Sequence, residues 1–116
     1  KRRNEISSYY KKALEGKVKF QALPSGMYNA HHLFIIEVED RKELYDFLHS
    51  KGVLVQIHYI PIHKFPYYKK IGYADADLKN SENYYKNCIS LPMYPNLAEE
   101  DQSKVVDILA SIVTKR

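Results

Sequence analysis

Two short apolar runs separated by a helical pattern constrain the fold of this chain more than any other feature. The runs occupy residues 33–38 and 53–59, and the amphipathic pattern between them occupies residues 41–51. About a dozen residues are enough for a crossover between two strands of one sheet. The chain is therefore predicted to be an α+β domain in which strands pack against helices, and a ferredoxin-like sandwich fits this order of elements.

Helical periodicity also marks both ends of the chain. Residues 2–15 repeat apolar side chains every three or four positions, and Gly16 follows as a stop. The last helix is predicted to begin at Asn96 or Ala98. The inward faces of the three helices are predicted to comprise Ile6, Tyr9, Tyr10, Ala13 and Leu14, then Leu44, Phe47 and Leu48, and finally Leu97, Val105, Ile108, Leu109 and Ile112.

Two further segments are predicted to be extended. Residues 17–23 form a possible short strand that ends before Pro24. Residues 89–95 are extended as well, but Pro92 and Pro95 cannot donate hydrogen bonds to a sheet. The second segment is therefore not expected to be a central strand.

Residues 81–88 are predicted to form a helix that begins with Ser81 as its N-cap and turns Tyr84, Tyr85 and Cys88 inward. An inward cysteine is more readily explained as a small buried hydrophobe than as a nucleophile. Cys88 is also the only cysteine, which excludes an internal disulfide and a multi-thiolate zinc site and fits a reducing compartment.

Length and charge limit the function classes. The 116 residues correspond to one domain, and the net charge is +4. Part of that charge lies at the two ends, at Lys1, Arg2, Arg3, Lys115 and Arg116, where solvated helix ends explain it. A nucleic-acid footprint needs a clustered basic face, and no apolar stretch reaches the ~18 residues of a membrane span. Neither nucleic acid nor a membrane is a predicted partner.

The side chains best suited to chemistry gather at the end of the second apolar run. Gln56 and His58 alternate with Ile57 and Tyr59, so the amide and the imidazole share one face of a strand, and His63 follows beyond a proline. An amide, an imidazole and a phenol can hydrogen-bond to hydroxyls, a carbonyl or a pyrophosphate, which suits a sugar or nucleotide-sugar ligand. From spacing alone, His58 is explained at least as well by packing against its neighbours, so both interpretations stay open.

A metal site is the other use that histidines suggest. His31 and His32 are adjacent and should point to opposite faces of a strand, while His58 and His63 are separated by a proline turn. No Asp or Glu in these segments completes a ligand set. No metal site is predicted. The glycines are scattered singly, so no glycine-rich phosphate loop is present either.

Several short motifs follow each other at specific spacings. They are His32-Leu33-Phe34, the helix of residues 41–51 with Gly52, Val55-Gln56-Ile57-His58-Tyr59 followed by Pro61, His63 and Pro66, Ser81-Glu82-x-Tyr84-Tyr85, and Ile89-Ser90-Leu91-Pro92-x-Tyr94-Pro95-x-Leu97. Together they resemble the C-terminal domain of the DegT/DnrJ/EryC1/StrS family of sugar aminotransferases, over nearly the whole chain. Within that family, VQIHYIPIHKFPYYKKIGY and LKNSENYYKNCISLP are most similar to the members of pseudaminic acid synthesis.

The resemblance implies that residues 1–116 are the single small C-terminal domain of a longer fold-type I enzyme, related to aspartate aminotransferase. The start at Lys1 rather than Met also leads us to expect a fragment. Such enzymes are usually homodimers that use pyridoxal phosphate, and their catalytic lysine and cofactor-binding residues belong to a large N-terminal domain. This chain is therefore expected to bind no cofactor, to hold no catalytic residue and to be cytoplasmic.

The resemblance also implies where substrate binds. Contacts are expected at Gln56, Ile57, His58 and Tyr59, and more weakly at His63, Asn29 and His32. The implied reaction aminates a 4-keto-6-deoxy UDP-sugar, with glutamate as the expected donor, in cell-surface polysaccharide or glycan biosynthesis. The alternative is a stand-alone ferredoxin-like ligand-binding or interaction module without catalysis.

Overall fold

The computed structural model of the protein describes residues 1–113, so Lys115 and Arg116 lie outside the described residues. Within them the elements are α1 (Arg2–Leu14), β1 (Lys19–Phe20), β2 (Phe34–Glu37), α2 (Arg41–Ser50), α3 (Pro66–Tyr68), α4 (Lys79–Asn87), β3 (Cys88–Leu91) and α5 (Glu99–Val113). A 3₁₀ turn at Ile62–Lys64 and a π turn at Lys69–Tyr73 flank α3. The predicted α+β class is confirmed.

The strands form one antiparallel sheet in the order β1-β2-β3. On the free side of β3, the N–H of Gln56 donates to the carbonyl of Ser90 at 3.2 Å, and the N–H of Ser90 donates to the carbonyl of Gln56 at 2.8 Å. The predicted strand of residues 53–59 is thus an extended segment that joins the sheet through one residue pair. The predicted strand of residues 17–23 is reduced to β1.

β3 is an edge strand of the three-stranded sheet, which agrees with the expectation that residues 89–95 supply no central strand. Only the single Gln56–Ser90 pair joins its outer side, and Pro92 comes after the last residue of β3, so neither proline interrupts its hydrogen bonds. All four residues of β3 are buried. The sheet is therefore covered on both faces at this point.

The predicted first helix is confirmed as α1, and Gly16 follows it with a φ of 72°, in the left-handed region that glycine favours. Tyr9, however, is exposed.

The structure departs further from the prediction at the helix expected over residues 81–88. α4 begins at Lys79, so Ser81 is inside its first turn, and none of its side chains is buried. Tyr84 is exposed and Tyr85 is half-buried. Cys88 is buried because it begins β3, and the apolar pattern that suggested an inward helical face belongs partly to that strand.

α1, α2 and α5 pack with the sheet around one core. α1 contacts α5, and α2 contacts both α5 and β3. The buried apolar side chains are Ile6, Tyr10, Leu14, Phe34, Ile36, Leu44, Leu48, Val53, Val55, Ile89, Leu91, Leu97, Val105, Val106 and Leu109. Buried Gln102 donates from Nε2 to the carbonyl of Ile6 at 2.8 Å. The polar side chain that α5 buries against α1 therefore has a hydrogen-bond partner. No helix within residues 1–113 has the length and apolarity needed to cross a membrane.

Tyr10 gives a first testable prediction. Its ring is fully buried, its hydroxyl donates to the carbonyl of Pro92 at 2.9 Å, and burial raises the pKa of the phenol. Tyr10→Phe should lower the free energy of unfolding by about 1 kcal/mol, because the ring stays and one hydrogen bond is lost. Urea unfolding measures it, with Tyr9→Phe on the exposed neighbour as control. Equal losses in the two variants would contradict the prediction.

Candidate functional site

The strand-end segment, residues 56–59, is held to the sheet by its backbone, which leaves its side chains to face outward. Both backbone polar groups of Gln56 are used by Ser90, and the amide side chain of Gln56 is exposed. Ile57 is half-buried, while Tyr59 is 69% exposed. The amide and the phenol are therefore accessible to a ligand.

His58 is fixed at one ring nitrogen only. Its Nδ1 lies 2.8 Å from Ser90 Oγ, and its ring meets Tyr59 edge-on at a centroid distance of 4.6 Å. Directly paired residues of antiparallel strands project their side chains to the same face, so Gln56 and Ser90 share a face, and His58 reaches that face as well. Nε2 has no hydrogen-bond partner within residues 1–113 and is the nitrogen left for a ligand. The ring thus combines a structural contact with a free polar atom.

His63 lies elsewhere in the arrangement. It is only 6% exposed, in the 3₁₀ turn, and its Nε2 is 2.9 Å from Oε1 of Glu82. Lys64 Nζ lies 2.8 Å from the same oxygen. Among the described residues His63 therefore contacts α4, not the exposed side chains of the strand-end segment.

The hydrogen bond from Lys64, with that from His63, lowers the pKa of the Glu82 carboxyl from its ordinary value of 4.5. The carboxylate is thus ionised at neutral pH. Because the folded-state pKa is the lower one, the contribution of this group to stability is present above about pH 4.5 and is lost as the pH falls through the folded value.

Asn29, His31 and His32 gather against α1. Asn4 Nδ2 donates to the carbonyl of Asn29 at 3.1 Å, and Arg3 Nη1 lies 3.3 Å from Nδ1 of His32. None of the hydrogen bonds in the described part of the chain joins Asn29 or His32 to the strand-end segment.

His31 is close to buried Ser7, with Nε2 at 3.0 Å from the Ser7 hydroxyl oxygen. Partial burial, reinforced by nearby Lys11, lowers the pKa of His31. His31 and His32 lie outside any strand, and both contact α1, so the expectation that they point to opposite faces of a strand was wrong. Within residues 1–113 no group of three His, Cys, Asp or Glu side chains is arranged to hold a metal ion.

The Cys88 thiol is enclosed beside the strand-end segment. Its Sγ lies 3.8 Å from the carbonyls of His58 and Tyr85. Burial raises the pKa of the thiol, which leaves little thiolate at neutral pH. The arrangement suits packing rather than nucleophilic attack.

The aromatic segment, residues 60–73, follows the strand-end segment and exposes a run of large apolar side chains. They are Ile60, Ile62, Phe65, Tyr67, Tyr68, Ile71 and Tyr73. The turns of this segment contact one another. Contiguous exposed apolar surface of this kind marks a contact surface for another protein part or a ligand.

Sequence reasoning named Ser90 and Glu82 only as members of motifs and assigned neither a role. Ser90 holds His58 from 32 positions away, and Glu82 holds His63 from 19 positions away. No periodicity within a helix or strand connects residues at such separations. Only the fold brings each pair together.

Comparison with known proteins agrees with the resemblance of the motifs. A model of the DegT/DnrJ/EryC1/StrS aminotransferase family matches residues 1–110. The spore coat polysaccharide biosynthesis protein SpsC of Bacillus subtilis is 33% identical in an alignment 129 residues long, gaps included, that covers 97% of this chain and 32% of SpsC. The UDP-4-amino-4,6-dideoxy-N-acetyl-beta-L-altrosamine transaminase of Campylobacter jejuni is 32% identical in an alignment 121 residues long, gaps included, that covers 98% of this chain and 32% of that protein.

The fold is similar as well. The crystal structure of a DegT DnrJ EryC1 StrS aminotransferase from Brucella abortus superimposes with a TM-score of 0.83 at 35% identity, over 94% of this chain and 30% of that one. The chain thus spans about a third of the length of these relatives.

Proposed function

The chain belongs to the DegT/DnrJ/EryC1/StrS aminotransferase family, and from that premise we propose that it is the small domain of a sugar aminotransferase that closes over the substrate. The proposal rests on the polar groups that the strand-end segment of this chain exposes. This segment carries the exposed Gln56 amide, a free His58 ring nitrogen and the exposed Tyr59 phenol within four residues. These groups can donate or accept hydrogen bonds to hydroxyls and to a pyrophosphate.

The substrate we propose is a 4-keto-6-deoxy sugar carried on UDP, with glutamate as the amino donor. The similarity to the Campylobacter jejuni transaminase supports a UDP-linked amino sugar. The similarity to SpsC supports a role in polysaccharide biosynthesis. The pathway of pseudaminic acid, a homodimeric enzyme and a cytoplasmic location belong to the same proposal.

Enzymes of this family use pyridoxal phosphate, and the residues present do not fit that cofactor. A site for it needs a lysine in a pocket that also encloses the ring and the phosphate. The lysines of the described residues are exposed, except Lys11, which is half-buried beside a cavity of about 50 Å³. Small-molecule pockets measure ~300 Å³ or more. Two larger grooves, of about 710 and 660 Å³, lie on the surface, and the lysines that line them are exposed, so neither encloses a lysine. We therefore place the cofactor in another part of the enzyme.

In this proposal the chain supplies binding and orientation rather than chemistry. Gln56, His58 and Tyr59 bind the sugar nucleotide, and the half-buried Ile57 packs behind them. Closure of a small domain over the substrate would exclude water and fix the reacting carbon in position. The proton transfers belong to residues outside this chain.

A stand-alone ligand-binding module is the second candidate. The observation in its favour is that residues 1–113 build one continuous core of their own. Such a module would bind a sugar nucleotide without any cofactor.

The two candidate functions predict different results when pyridoxal phosphate is added to the protein. The polypeptide encoded by the full reading frame should acquire the absorbance of an internal aldimine with pyridoxal phosphate and should aminate a UDP-linked 4-keto sugar with glutamate. The 116-residue chain alone, as the control, should do neither. Stoichiometric aldimine formation on a lysine of the 116-residue chain would contradict the proposal, as would a full-length product without transaminase activity.

A further inference from the structure

We propose that Glu82 is a positioning residue for the substrate site, because its carboxylate anchors the chain that leaves the strand-end segment. The inference rests on the proposed function. Oε1 of Glu82 lies 2.9 Å from His63 Nε2 and 2.8 Å from Lys64 Nζ, so one oxygen holds two consecutive residues of the 3₁₀ turn. His63 is enclosed by this contact, whereas Lys64 remains exposed.

The chain around the site is held at two points. The first is the pairing of Gln56 with Ser90, which also holds the His58 ring. The second is the contact of His63 and Lys64 with Glu82. Residues 57–62, which include Tyr59, run between these two points.

Both anchors belong to one continuous unit of the fold. α4 ends at Asn87 and β3 begins at Cys88, so Glu82 and Ser90 lie eight positions apart on a continuous helix–strand unit. The buried strand β3 gives that unit a fixed place in the core. A substrate-binding segment that is fixed at both ends to a rigid element keeps its side chains oriented, and small losses of orientation reduce turnover strongly.

The second anchor also matters because it lies between the strand-end segment and most of the aromatic segment. The aromatic segment shares residues 60–62 with the stretch between the anchors and continues beyond it, and its own turns contact one another. Without Glu82, movements of this segment would be transmitted to Tyr59 through only a few residues.

The first test uses the 116-residue chain and does not depend on activity. The amides of Lys64 and Phe65 donate within the 3₁₀ turn to the carbonyls of Pro61 at 2.8 Å and Ile62 at 3.0 Å. In Glu82→Ala these two amides should exchange with solvent about tenfold faster, because the turn opens locally. The amide of Ser90 in β3 should be unchanged. Glu82→Gln should exchange at a rate between those of the wild type and Glu82→Ala, because its amide oxygen can still accept both hydrogen bonds but lacks the negative charge that strengthens them.

Glu100→Gln is the matched control, since Glu82 and Glu100 both lie in the first turn of a helix. It removes a first-turn charge without touching the 3₁₀ turn. Unchanged exchange at Lys64 and Phe65 in Glu82→Ala would overturn the anchor, and so would an equal effect of the control.

The second test uses the full-length enzyme. Glu82→Ala should raise KM for the sugar nucleotide about tenfold and leave KM for the amino donor unchanged, whereas a merely structural role would lower only the melting temperature. Faster exchange with an unchanged KM for the sugar nucleotide would overturn the positioning role alone. A wild-type enzyme that turns over no sugar nucleotide would overturn the proposed function, and the positioning role with it.

Discussion

Replacing Ile36 by alanine is expected to lower the free energy of unfolding by about 2–5 kcal/mol. Ile36 is fully buried in β2 and lies between two cross-strand neighbours, Phe20 of β1 and Ile89 of β3. Removing most of its side chain takes apolar surface out of the core and leaves a cavity that a three-stranded sheet cannot close without moving all its strands. No single substitution of a polar group in this chain should cost as much.

Ile35→Ala is the matched control for that experiment. The residue is the same type in the same strand, and its side chain points to the opposite face, where it is only half-buried. The loss of strand propensity is then equal in both variants, and only the burial differs. Urea unfolding should give a clearly larger loss for Ile36→Ala. Similar losses in both variants would show that the core does not lie on the Ile36 face of β2.

The elements that were predicted correctly are those defined by local periodicity. α1, α2 and α5 repeat apolar side chains at helical spacing, and β2 concentrates them in a short run, so each could be located without knowing its neighbours.

The prediction that residues 89–95 are extended but supply no central strand is confirmed, because β3 is an edge strand of the sheet. Prolines limit a strand only where they fall within its hydrogen-bonded residues, and Pro92 falls one residue beyond. The order of strands, with β2 between β1 and β3, is a property of long-range packing that no local pattern contains.

The candidate site, like the fold, could be predicted from the sequence only where local patterns define it. The shared face of Gln56 and His58 follows from alternation along one segment, and it could be read from the sequence. Ser90 contacts this segment at His58, and Glu82 contacts His63 beyond its end, and both approach only when α4 and β3 fold against this part of the chain. The sequence motifs identified the family, but the physical role of Glu82 emerged from the distances alone.

His58 carries the second large prediction, which concerns the full-length enzyme. Its Nδ1 is used by Ser90, so the proposed ligand contact must come from Nε2. His58→Ala should lower kcat/KM for the sugar nucleotide about ten- to hundredfold, as expected for the loss of a hydrogen bond to a charged or buried group of the ligand. It should also reduce stability, because the Ser90 hydroxyl loses its partner. Alanine alone therefore cannot separate the two roles of the ring.

Two amide substitutions separate them. Asparagine can place its side-chain nitrogen near the position of Nδ1 and keep the contact with Ser90, whereas glutamine reaches the position of Nε2. His58→Asn should retain most of the melting temperature and lose kcat/KM as alanine does. His58→Gln should retain part of kcat/KM. If His58→Asn instead turns over the sugar nucleotide like the wild type, the ring serves only to hold the strand end, and the ligand contacts must be sought at Gln56 and Tyr59.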